Sequence, residues 1–129
     1  MASWDEVARI ALALPETSER PAYGNRAWRV RDKLFVWERP LRESEIAEFE
    51  GAAPDGPILG ARVEDMVAKQ ALIADQPELY FTTSHFDGSA SVLVRLERIG
   101  RKDLEELIAE AWLARAPKRL ADEYLESLG

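Results

Sequence analysis

The chain has no cysteine and a single histidine, His85. Without cysteine neither a disulfide framework nor a thiolate metal site is available, and one histidine would leave carboxylates alone to complete a metal centre. No bound metal and no other cofactor is therefore expected. No apolar run approaches the ~18 residues needed to cross a bilayer, and the opening Met1-Ala2-Ser3-Trp4-Asp5-Glu6 has neither a basic nor an apolar leader region. A cytoplasmic protein with no membrane contact is the expectation. Also missing are a P-loop, a glycine-rich dinucleotide fingerprint and a metalloprotease motif. Positive charge is scarce: 17 Lys and Arg stand against 24 Asp and Glu, a net −7, which works against non-specific association with a phosphate backbone.

What is present suits one soluble domain spanning residues 1–129. Hydrophobic residues make up 47%, enough for a core without covalent staples. The basic charge is concentrated. Residues 18–42 hold Arg20, Arg26, Arg29, Arg31, Lys33, Arg39 and Arg42 against Glu19, Asp32 and Glu38, while the segments on either side are acidic. A basic hairpin on an acidic body can face a polyanion, or it can be a solvated edge.

In chain order, Ser3 with Glu6 is a helix-capping pattern, and Trp4, Val7, Ile10, Ala11 and Leu14 recur at helical spacing until Pro15. A polar stretch over 16–25 reads as a loop. Arg26 to Arg39 reads as a β-hairpin turning near Asp32-Lys33. A two-residue turn there sets Val30 against Phe35 and Trp28 against Trp37, all on one side, with Arg29 and Arg31 on the other. Ser44 is placed to cap a short helix through Phe49. Ile58 to Val63 forms a strand and Glu64 to Asp75 a helix that ends before Pro77. Leu79–Thr82 and Ser91–Ile99 are strands, with Val92, Val94 and Leu96 alternating onto one face and Leu93 and Arg95 onto the other. Asp103 with Glu106 marks the next helix, whose Leu104, Leu107, Ile108, Ala111 and Trp112 fit one apolar stripe. Pro117 opens the last helix. Strands joined by short turns, with helices gathered on them, give an α+β fold built on an antiparallel sheet.

These motifs resemble the MmcQ/YjbR family. The resemblance is carried by Leu14-Pro15-Glu16, by Ala27-Trp28-Arg29-Val30 running into Lys33-Leu34-Phe35, and by Phe81-Thr82-Thr83-Ser84-His85-Phe86-Asp87-Gly88 ahead of Val92-Leu93-Val94-Arg95-Leu96. It closes on Glu110-Ala111-Trp112 and Ala116-Pro117-Lys118-Arg119-Leu120. It implies a domain similar to the CyaY-like fold. It also implies a DNA-binding label, which rests on the likeness of two projecting hairpins to double-wing DNA binders. No enzymatic activity or catalytic set comes with it. Where many relatives have a glycine at the first hairpin turn, this chain has Arg31-Asp32-Lys33.

Two sets of candidate residues follow. For nucleic acid they are Arg26, Arg29, Arg31 and Lys33 on the hairpin, joined by Lys118 and Arg119, where the free N–H groups of a helix start favour a phosphate. DNA bound weakly and salt-sensitively is the partner this set implies. For a small ligand or a protein partner they are His85, Asp87 and Arg95. A base with an orienting carboxylate is the enzymatic version of that site, although no nucleophile accompanies the pair. The plainer reading of His85 is a loop side chain that shapes a turn. Trp28, Trp37 and Trp112 share the phase of core residues and are expected to pack inside. A monomer is expected.

Overall fold

The computed structural model describes residues 2–129; Met1 lies outside them. Helix α1 (Trp4–Leu12) starts where Ser3, in extended backbone, accepts the Glu6 N–H at 3.2 Å, and it buries Val7, Ala8 and Ala11. The next segment corrects the expected loop: Thr17–Glu19 form a short edge strand, β1, against β2 (Ala27–Val30). Its side chains are polar and show no alternation, so its only signal is the backbone pairing with β2, from Thr17 opposite Val30 to Glu19 opposite Trp28. The Thr17 hydroxyl adds an anchor by donating to the carbonyls of Ala11 and Leu14.

The hairpin of β2 and β3 (Lys33–Glu38) turns at Arg31-Asp32, one residue earlier than expected, with φ of 44° and 69°. Two positive φ values in a two-residue loop are the type I′ turn, whose twist matches that of the strands it joins. The expected register is overturned beyond this point. Val30 lies opposite Lys33 and Arg29 opposite Leu34, but Trp28 lies opposite Val36, so Phe35 is an extra residue in a bulge. One added residue inverts everything after it. Val36 therefore joins Trp28 on the inner face, and Trp37 points outward beside Ala27.

The remaining elements are α2 (Glu43–Glu48), β4 (Ile58–Arg62), α3 (Met66–Asp75), β5 (Tyr80–Phe81), a 3₁₀ turn over Ser84–Phe86, β6 (Ser91–Arg95), a second 3₁₀ turn over Leu96–Arg98, α4 (Arg101–Arg115) and α5 (Lys118–Leu128). Several boundaries differ from expectation: α3 starts at Met66 and not at Glu64, β4 ends at Arg62 and β5 is cut to Tyr80–Phe81, and three further differences bear on capping and strand length. Helix α2 starts after Arg42, with no cap from Ser44; β6 ends at Arg95 and not at Ile99; and α4 begins on Gly100, ahead of Asp103.

The six strands form one sheet in the order β1-β2-β3-β4-β6-β5, every neighbouring pair antiparallel, with helices packed on it: an α+β fold. The inner face presents Trp28, Val30, Phe35, Val36, Leu59, Ala61, Val92 and Val94 to α1, α4 and α5, which supply Val7, Ala11, Leu104, Ile108, Trp112 and Leu120. Trp112 is fully buried and donates its indole N–H to the Pro15 carbonyl at 3.0 Å. The outer face carries a smaller cluster of Ala27, Trp37, Ile58, Phe86 and Leu93. Among the described residues no helix is long and apolar enough to cross a membrane.

Candidate functional site

The outer face leaves a cleft of about 580 Å³ between the turn at 22–25, the outward side chains of β3, the segment 39–42 and the 3₁₀ turn that carries His85. Leu34, Trp37, Leu41 and Phe86 give it an apolar lining; Tyr23, Asn25, Glu38, Arg39, Arg42 and His85 stand around them. Trp37 lies across β4 only because residue 60 is glycine. A Cβ there would sit 2.4 Å from the indole Cε2. Phe86 meets Trp37 at 6.5 Å between ring centres, His85 meets the Phe86 ring edge-on at 4.8 Å, and the Arg39 guanidinium lies 5.0 Å from the Phe86 ring centre. A cation over an aromatic face is held by the ring's quadrupole.

Charged side chains hold the walls in place. Arg39 donates twice to Glu45, at 2.9 and 3.0 Å, and both are buried. Glu45 also accepts from the Arg42 N–H at 2.9 Å and from the Thr83 hydroxyl at 2.7 Å. Burial alone would push the Glu45 carboxyl up, but the hydrogen bonds from Arg39, Arg42 and Thr83 prevail and hold it at about 2. One turn further along α2, Glu48 accepts from the Ser84 N–H at 2.9 Å and its hydroxyl at 2.6 Å. From the other side Lys69, itself buried, donates to the carbonyls of Phe86 and Ser89. Burial lowers the Lys69 pKa, partly offset by the charge of Asp87. The His85 turn is thus clamped by carboxylates of α2 and an ammonium of α3.

The expected small-ligand set does not converge. His85 lines the cleft and is exposed, but Asp87 does not line it, and no hydrogen bond joins the two among the described residues. Arg95 faces outward as its alternation predicts, yet it sits 4.0 Å from Asp55 in a separate hollow with Pro57, Glu97 and Arg98. Strand β4 lies between it and β3, so a shared face does not make a shared site. Arg39, Arg42, Trp37 and Phe86 were not in that set. The aromatic flanking His85 is the one local signal that pointed at them.

The nucleic-acid set is brought onto the surface but largely paired. Arg26 donates to Glu19 at 2.8 and 3.1 Å and to Asp5 at 3.2 Å, and the bonds to Glu19 raise its pKa further. Arg31 makes a two-bond pair with Glu16. Lys118 pairs with Asp122 at 2.8 Å and Arg119 with Glu123 at 3.5 Å, each one turn along α5. Among the described residues, Arg29 and Lys33 are the members of the set with no acid within 4.0 Å. Also among them, no three His, Asp or Glu side chains gather as a metal ion would need.

Comparison with known proteins agrees with this architecture. The chain is 52% identical, over the full length of both chains, to the uncharacterized proteins Mb2600 of Mycobacterium bovis and Rv2570 of Mycobacterium tuberculosis. The crystal structure of Deinococcus radiodurans protein DR2400, which carries a DUF419 domain, superposes with a TM-score of 0.68 at 15% identity, covering 100% of this chain and 89% of the other. At that identity the likeness is one of fold. The model of the YjbR family matches residues 12–114, from the end of α1 to the end of α4, and the chain belongs to the YjbR family.

Proposed function

We propose that this protein is a binding module for a small ligand with a flat apolar body and an acidic group, held in the cleft beside His85. The observation that carries this reading is the cleft itself. Concave, mostly apolar lining with a few placed polar groups is what small-molecule sites are built from. Trp37 and Phe86 offer ring faces, and the Arg42 guanidinium is exposed at the rim and makes no ion pair among the described residues. The clamps on both sides support it, since a preformed wall reduces the ordering cost of binding.

A fluorescent aromatic sulfonate, anilinonaphthalene sulfonate, tests it as a probe of the right shape and charge. Leu41→Glu, at a half-buried position of the lining, is expected to weaken binding about tenfold or more, and Arg42→Gln by a smaller factor. Val67→Glu, on the exposed face of α3, should leave it unchanged. Binding that survives Leu41→Glu and is lost with Val67→Glu would overturn the reading.

A second reading follows the DNA-binding label of the resemblance and is favoured by one observation: Arg29 in β2 and Lys33 at the start of β3 have no acidic partner among the described residues. The remaining hairpin charge is already offset by Glu16, Glu19, Asp5 and Asp32. Duplex binding at physiological salt is therefore expected to be no tighter than about 10⁻⁴–10⁻⁶ M. Sub-micromolar, sequence-selective binding in a salt titration would replace the first reading with this one.

A further inference from the structure

Four cations of this acidic chain, buried Lys69 and half-buried Arg29, Arg62 and Arg115, have no acid within 4.0 Å among the described residues. Two of them, Arg62 and Lys69, meet the loop between residues 86 and 91. Arg62, at the end of β4, donates to the Ser91 hydroxyl of the neighbouring strand at 3.0 Å and to the Ser89 hydroxyl at 3.5 Å; the two hydroxyls are 3.1 Å apart. Each serine oxygen is thus an acceptor from Arg62, and only one of the two hydroxyl protons finds an acceptor, in the other serine. Ser91 is 1% exposed, so the proton left over is not freely solvated. Behind them the Lys69 ammonium holds the Ser89 carbonyl at 2.9 Å. Arg115, at the C-terminal end of α4, is within electrostatic reach of Arg62, and its Nε is buried without a partner. Burial first, and then the charge of Arg115, push the Arg62 pKa down.

This cluster has donors in excess and lacks an acceptor. Buried polar groups are normally satisfied, and two guanidinium groups within electrostatic reach of each other raise each other's energy. The carboxylate within this loop, Asp87, is exposed and makes no ion pair among the described residues. An anion supplies what is missing, because its oxygens accept from guanidinium and hydroxyl together. We propose that Arg62, Ser89 and Ser91, with Arg115 within electrostatic reach, form a binding site for a small oxyanion of the phosphate class. It lies apart from the cleft lining and does not depend on the cleft being a ligand site.

The test is isothermal titration of the full chain with inorganic phosphate and, separately, with glycerol phosphate, against sodium chloride at matched ionic strength. Phosphate is expected to bind with one site, and Arg62→Gln and Ser91→Ala to weaken it about tenfold or more, while Lys102→Gln, exposed on the first turn of α4, leaves it unchanged. Equal affinity for the two ligands indicates a free ion, and preference for the ester indicates the terminal group of a larger molecule. Should Arg62→Gln fail to fold by circular dichroism, Arg115→Gln takes its place with the same expected loss. No binding beyond the chloride control, or full affinity in Arg62→Gln or its substitute, overturns the proposal.

Discussion

The two faces of the sheet are closed by different means. The inner face is covered by three helices mainly through apolar contact, with Trp28, Leu104, Ile108 and Trp112 fully buried. The outer face is covered in part by one 3₁₀ turn, and that turn is held by Lys69, Glu45 and Glu48 more than by hydrophobic area. Apolar burial is non-directional and can seal a face completely. Hydrogen-bonded charges fix a short segment in one place and leave the space beside it open. The first arrangement gives stability, and the second gives a cleft with rigid walls.

Breaking the inner face should produce the largest effect. Trp112→Ala removes a fully buried ring that also satisfies the Pro15 carbonyl and packs on Tyr124 at 4.9 Å. It is expected to cost about 3–5 kcal/mol, read as a drop in the denaturation midpoint. On the outer face, Glu45→Gln leaves the buried Arg39 guanidinium without its counter-charge and is expected to cost about 3 kcal/mol. The same pair predicts a pH dependence. The Glu45 pKa lies near 2 in the folded chain against an ordinary 4.5. Its contribution is therefore complete above about pH 4.5 and is lost as pH falls toward 2, on the order of 3 kcal/mol in all. Glu45→Gln should flatten that part of the acid-unfolding curve; an unchanged curve would count against the clamp.

Gly60→Ala gives a smaller and sharper test. Its methyl group collides with the Trp37 indole. A cost of about 1–3 kcal/mol is expected, together with weaker probe binding in the cleft, because Trp37 must shift. Loss of stability with unaltered binding would separate Trp37 from the site.

The inner face was the more legible of the two in the sequence. Val92, Val94 and Leu96 alternate without interruption, and the stripe from Leu104 to Trp112 has helical spacing throughout, so local pattern and tertiary burial agree. The outer face was hidden by two features that local pattern does not carry. The Phe35 bulge moves Trp37 across the sheet, and nothing in Lys33-Leu34-Phe35-Val36-Trp37 distinguishes a regular strand from one with an extra residue. The clamps join residues far apart in sequence, with Thr83 reaching Glu45 and Lys69 reaching Phe86. His85 was legible because it is the lone histidine in the chain. Arg95 was misplaced because alternation gives the face of a residue but not its neighbours two strands away.

The central claim, that the outer cleft is the binding site, is tested most directly by the four tryptophan indole N–H signals in ¹H–¹⁵N NMR during titration with the aromatic sulfonate. Of Trp4, Trp28, Trp37 and Trp112, Trp37 alone lines the cleft, whereas Trp28 and Trp112 are sealed in the inner core and Trp4 stacks on Trp28 at 6.4 Å. The account predicts a saturable shift of the Trp37 signal with the other three unmoved. A shift confined to Trp4, Trp28 or Trp112, or saturable binding that leaves Trp37 in place, would contradict it.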